Sequence, residues 1–219
     1  MHSAIFRPGA RELITCGDAG VQRWPLLDRT DGSRSLQFGP PQRIPLPLLP
    51  TRATCSHDGR LLAVVSESVG GALVLDLAAG KLQTILLPHP ASGFVALSLD
   101  GAWLATSGWR SPVTRFWNVG TGKMIEEWKA APLGSMSFTP DSRTLIATHA
   151  DHFNFCDVQT LQPVRRLPRG GATYTSQVAV STDGKMIALE VTPGIIHFTE
   201  TATGRTVARL TDPTGDRAT

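Results

Sequence analysis

Three side chains able to bind a metal fall within four residues at His149-Ala150-Asp151-His152. Imidazole and carboxylate suit Zn²⁺, but a zinc site needs three or four converging donors. No second cluster accompanies this run, so a loop between two strands is its expected role and no metal is expected. Gly120-Thr121-Gly122-Lys123 superficially suggests a phosphate loop. Such a loop needs Gly five residues before the Gly-Lys pair and Ser or Thr after the Lys, and Trp117 and Met124 stand there instead. Neither a Gly-x-Ser-x-Gly elbow nor a His-Glu-x-x-His run occurs. His57, His89 and His197 occur singly and are expected to be structural. The 3 cysteines, Cys16, Cys55 and Cys156, form no Cys-x-x-Cys pair. Their odd number fits a reducing compartment, hence an expected cytoplasmic location, and small buried hydrophobe is the usual role of such residues. With no catalytic constellation in view, no enzyme activity and no cofactor are expected.

The bulk composition narrows the choices further. The 219 residues include 21 Lys plus Arg against 18 Asp plus Glu, a net charge of +3. An apolar content of 41% is too high for a disordered chain. Basic residues are scattered, the densest group being Arg165-Arg166 with Arg169, so no nucleic-acid patch is expected. No apolar run reaches the ~18 residues that a membrane helix needs, and Met1-His2-Ser3-Ala4 opens no basic-then-apolar leader.

The elements that would have to position any site come from an internal repeat. Cys55-Ser56-His57-Asp58-Gly59-Arg60-Leu61-Leu62-Ala63 returns as Leu97-Ser98-Leu99-Asp100-Gly101-Ala102-Trp103-Leu104-Ala105. It returns again around Thr139-Pro140-Asp141-Ser142 and Ser181-Thr182-Asp183-Gly184, with a weaker copy at Phe6-Arg7-Pro8-Gly9. Asp58, Asp100, Asp141 and Asp183 are 42, 41 and 42 residues apart. A second pattern follows each copy: an apolar strand, an acidic or amide residue, then a turn. It reads Trp117-Asn118, Leu75-Asp76, Cys156-Asp157 and Thr199-Glu200. Asp-Gly between short alternating runs is a strong hairpin signal. The runs themselves have strand composition, and about four strands fit each period. In the third period they are predicted at 95–98, 103–107, 113–117 and 124–128. No segment has a convincing helical period.

The period, the four strands, the Ser-x-Asp-Gly hairpins and the Trp117-Asn118 dipeptide resemble the WD-40 repeat β-propeller family, in the style of its divergent bacterial members. The resemblance covers nearly the whole chain as about five repeats. It implies an all-β fold: a propeller of about five four-stranded antiparallel blades, incomplete or open. The family's Gly-His dipeptide is missing, and its hairpin aspartate, six residues before the Trp, is matched only by Asp18 before Trp24. The hydrogen-bonded tetrad of typical members is therefore expected to be mostly absent.

A single domain is expected, with blades at 1–50, 51–91, 92–132, 133–174 and 175–212 and a tail at 213–219. Blade one holds an insertion at 28–34 and a Pro-Leu run at 45–50, read as a surface loop with an irregular outer strand. The chain starts on an inner strand and its tail looks like a loop into another repeat, so an arc or a portion of a larger propeller is expected. Trp103 and Trp128 are expected to pack between blades, and Trp109 to serve as a contact anchor. Loops joining second to third strands, and one blade to the next, share one face, which would gather Asp18, Trp109, Arg110, Asp151, His152 and Arg169. Binding residues tend to sit on such loops. The expected function is a non-catalytic scaffold for a protein or peptide partner, as part of a larger regulatory protein. The alternative is a quinoprotein-like or hydrolase-associated propeller holding a small ligand in its axial channel.

Overall fold

A computed structural model describes residues 3–28, 36–79, 81–108, 111, 113–129, 134–170 and 175–212, with only the backbone of 81–86. Its described residues are all strand and turn, with no helix, and so no helix long and apolar enough to cross a membrane. Five antiparallel sheets follow one another along the chain as the blades of a β-propeller. Blade one contains β1 (Ser3–Phe6), β2 (Glu12–Gly17), β3 (Gly20–Leu27), β4 (Gln37–Phe38) and β5 (Gln42–Ile44). Blade two contains β6 (Arg52–Cys55), β7 (Leu61–Ser66), β8 (Gly71–Asp76) and β9 (Lys81–Pro88). Blade three contains β10 (Phe94–Leu97), β11 (Trp103–Ser107), β12 (Thr114–Asn118) and β13 (Lys123–Trp128), each within a residue of its predicted span. Blade four contains β14 (Met136–Phe138), β15 (Thr144–Thr148), β16 (His152–Asp157) and β17 (Pro163–Pro168). Blade five contains β18 (Val178–Val180), β19 (Met186–Thr192), β20 (Ile195–Glu200) and β21 (Thr206–Thr211).

The inner strands pack in the order β1, β6, β10, β14, β18. Among the described residues no strand ladder joins blade five to blade one. The irregular outer edge of blade one resolves into two short strands on β3: β5 pairs with Val21–Arg23, and β4 with Leu26 and Leu27. Residues 29–34 of the insertion, and the tail from 213, lie outside the described residues.

Each repeated hairpin is tied by one set of bonds. The hydroxyls of Ser56, Ser98, Thr139 and Ser181 donate to Oδ1 of Asp58, Asp100, Asp141 and Asp183 at 2.5–2.6 Å. The same Oδ1 atoms accept the backbone N–H two residues on, at 2.9–3.0 Å. The hydroxyl oxygens accept the N–H that starts the next strand, at 2.9–3.0 Å. The turn differs from the two-residue Asp-Gly hairpin that the sequence suggests. Gly59 N–H returns to Ser56 C=O at 3.0 Å and Ser56 N–H reaches Leu61 C=O, so the loop is longer. The glycine serves as its left-handed residue, with φ of 67° at Gly59 and 73° at Gly101. In blade four Ser142 takes this conformation, φ 59°, and its Oγ accepts the Asp100 N–H of the neighbouring turn at 3.1 Å. The residue after the Trp position closes the hairpin between third and fourth strands, at the same end of the blade. Asp76 Oδ1 accepts from Ala78 and Ala79, Asn118 Oδ1 from Thr121, and Asp157 Oδ1 from Gln159 and Thr160. Only an acceptor is required, so Asn serves as well as Asp.

Cores lie between blades. Ile14, Cys16 and Val21 meet Leu62, Val64 and Leu75; Ala63 and Val74 meet Leu104 and Trp117. Ala105 and Phe116 meet Leu145, with Trp103 and Trp128 packed alongside, and Ile146 and Phe155 meet Ile187 and Leu189. Gly59 marks a close approach of two neighbouring turns: a Cβ there would sit 2.2 Å from the Pro8 carbonyl oxygen. Gly59→Ala, also strained by its positive φ, is expected to cost about 2 kcal/mol or more. Gly120→Ala, whose Cβ would meet only Asn118 Oδ1 at 3.6 Å, should stay within about 0.5 kcal/mol of the parent. Urea unfolding of the two variants checks both values.

Candidate functional site: the loop face

The β2–β3, β7–β8, β11–β12 and β15–β16 turns share one end of the blades with the connections between blades, because strand direction alternates. Blade three shows how the sequence fixes this end. Trp117 Nε1–H donates to Thr106 Oγ1 at 2.9 Å. Thr106 Oγ1 also lies 2.7 Å from His89 Nδ1; because Ser111 spends its one hydroxyl proton on the Val113 carbonyl, Ser111 Oγ must accept from His89 Nε2–H, and Thr106 donates to Nδ1. Nδ1 is then the unprotonated nitrogen, and Nε2–H donates to Ser111 Oγ at 2.7 Å. Ser111 passes its proton to the Val113 carbonyl at 3.2 Å. The relay runs one way and holds a neutral imidazole. Burial, then the Arg115 charge, hold His89 down at about pKa 4, against an ordinary 6.5.

Blade three thus links four side chains in series, with Ser111 rather than an aspartate standing six residues before Trp117; in the other blades the linkage is mostly absent, as expected. Blade one repeats its first bond, Trp24 Nε1–H to Thr15 Oγ1 at 2.9 Å. In blades two, four and five the positions matching Thr106 and Trp117, two residues apart in the ladder, are Val64 and Leu75, Ala147 and Cys156, and Leu189 and Thr199. These pairs cannot carry the relay.

The structure brings Asp151, His152 and Arg169 together at the mouth of blade four. Arg169 N–H donates to the Asp151 carbonyl at 2.7 Å and its guanidinium to the His149 carbonyl at 2.8 Å. Asp151 Oδ1 lies 2.6 Å from His152 Nδ1, and the His149 and His152 rings stack at 4.7 Å. Arg169 is 5% exposed and clamps the loop from beneath, whereas the Asp151 side chain is 76% exposed. Among the described residues no group of three metal-binding side chains forms. Asp18 lies apart, at a depression of about 560 Å³ between blades one and two with Leu49, Pro50, Thr51, Glu67 and Ser68. Trp109 and Arg110 lie outside the described residues.

A second cavity, of about 220 Å³, opens where the inner strands converge and is lined by Thr54, Cys55, His57, Ser137, Phe138 and Thr182 among others. It meets the opposite end of the blades, and apart from His57 its polar lining is hydroxyl and thiol. Burial pushes the Cys55 thiol up to about 11, as it does Cys16 and Cys156.

No family model matches the sequence, and no curated protein matches it. Among solved structures the chain is similar to hydrazine synthase of Kuenenia stuttgartiensis, with a TM-score of 0.65 over 84% of this chain at 21% identity. The match spans 53% of that chain, about half its length. In all, 1439 solved chains resemble this one. So widely shared a shape defines the fold, a β-propeller, and no single activity.

His89 gives the loop face a pH dependence with a definite sign. Its pKa falls on folding, so its contribution is present above the unfolded value of 6.5 and is lost as pH drops through about 4. Denaturant unfolding at a series of pH values should show about 2–3 kcal/mol lost across this window. His89→Gln should flatten that dependence.

Proposed function

We propose that this chain is a non-catalytic, WD-repeat-like propeller that binds a protein or peptide partner on its loop face. One observation carries the reading: the groups that could do chemistry are taken up in holding the blades. The Ser56 and Ser181 hydroxyls, then backbone amides, keep Asp58 and Asp183 below the usual carboxylate range. The Ala79 and Thr160 amides do the same for Asp76 and Asp157. None of these is a proton shuttle near neutral pH. The thiols, raised by burial, are poor nucleophiles, and His89 is committed at both nitrogens. The relay in blade three belongs to the WD-repeat style and supports that kinship.

The docking end of this reading is the depression at Asp18. Leu49, 65% exposed, stands there beside the Asp18 and Glu67 carboxylates. An apolar wall flanked by two acids suits a segment carrying a basic and an apolar residue. The partner is thus read as a basic-apolar peptide stretch of another protein. Affinity capture with quantitative mass spectrometry tests it. A partner held by the parent chain should be lost with Asp18→Lys and with Leu49→Ser. It should be kept with Lys185→Glu, at the opposite end of the blades. Turnover of a small molecule blocked by substitutions at Thr54 or His57, with no partner captured, would overturn the reading.

A further inference from the structure

The two terminal blades each present one face on which no blade packs among the described residues, and the strand register defines what would fit there. In each blade, one facing pair on the second and third strands points to the preceding blade and the next pair to the following one. The preceding-type pairs are Leu62 with Leu75, Leu104 with Trp117, Leu145 with Cys156, and Ile187 with Thr199, each at most 5% exposed. The following-type pairs Ala63 with Val74, Ala105 with Phe116, and Ile146 with Phe155 are at most 3% exposed. Two pairs are left half-buried. Ala188 with Phe198 in blade five is of the following type, and Leu13 with Trp24 in blade one is of the preceding type.

These are the two halves of a joint that the chain already makes four times within itself. Ala188 beside Phe198 repeats Ala105 beside Phe116. Leu13 and Trp24 repeat Leu104 and Trp117, down to the indole bond with a strand threonine. Each face extends over a large exposed side chain: Leu210 at 55%, paired to Ile196, and Phe6 at 60%, paired to Leu13. The carboxylates on the blade-five face are already bonded within the blade, Glu190 to the Gln177 amide at 3.1 Å and Glu200 to Arg205 and Thr203.

We propose that blade five of one copy seats on blade one of a second copy, head to tail. The interface is heterologous, so one joint leaves a free face of each kind, and further copies add unless the curvature closes a ring. It uses the sides of the terminal blades rather than the loop face, and stands independently of the peptide-binding reading.

Analytical ultracentrifugation of the whole chain over a concentration series tests this. The mass should rise with concentration and persist in high salt, as apolar association does. Leu210→Arg and Phe6→Arg change side chains that are exposed in the monomer, so both variants should keep the parent's circular dichroism and melting midpoint. Each alone should weaken association tenfold or more, about 1.4 kcal/mol. Mixed together they should form a capped heterodimer, because each retains the face that the other lacks. A wild-type chain that stays monomeric throughout would overturn the proposal. So would association that survives either variant, or a mixture that remains monomeric. Asp18→Lys should leave the association unchanged, which separates its failure from failure of the loop-face reading.

Discussion

Every part of this molecule depends on covering both faces of a four-stranded sheet. A blade of this size is apolar on two sides, since successive strand residues point to opposite faces. Neither side can be left to water without forfeiting about 1.5–3 kcal/mol for each large side chain. Radial packing solves both at once, each blade closing its neighbours' faces. Leu104 and Trp117 look back while Ala105 and Phe116 look forward. One residue of register slip in β11 would exchange the two sets, so the repeated hairpin that sets register carries more weight than its exposed position suggests.

That hairpin is where polar chemistry and packing meet. The Ser-x-Asp pair satisfies two backbone amides that no strand partner reaches, and the left-handed residue after Asp brings the chain back in step. Because neighbouring turns touch, as Gly59 does Pro8 and Ser142 does Asp100, the turns also space the blades. The acids at the neighbouring hairpins, Asp76 and Asp157, do the same work between third and fourth strands. Hence the hairpin acids among the described residues are engaged as acceptors rather than as acids or bases.

The fold was legible because its causes are local and periodic: the 41–42 residue spacing of turn aspartates, alternation in short runs, and Gly where φ is positive. What escaped depended on contacts remote in sequence. Ser111 escaped because an acid was expected six residues before Trp117; a hydroxyl serves once the imidazole is neutral and donates to it. His89 sits in Pro88-His89-Pro90, with no local pattern to reveal that β11 would place Thr106 against it. Arg169 was legible as a loop residue but not as a buried one, since its burial comes from the β15–β16 turn folding over it. The doubled outer edge of blade one escaped too, because β4 and β5 are too short to show alternation.

The loop face gains from this arrangement a property that bears on binding. In blade three Ser111 is held by His89, from the segment entering the blade. In blade four the turn bearing Asp151 is fixed through Arg169, from the segment leaving it. In both, a buried nitrogen-rich side chain joins a connection between blades to a turn within a blade. At these residues the two kinds of loop on this face are therefore joined to one another. A surface ordered before contact loses less conformational freedom on binding. Two different residues reach that result in adjacent blades, so rigidity of this end follows from the demand for satisfied buried polar groups rather than from any one motif.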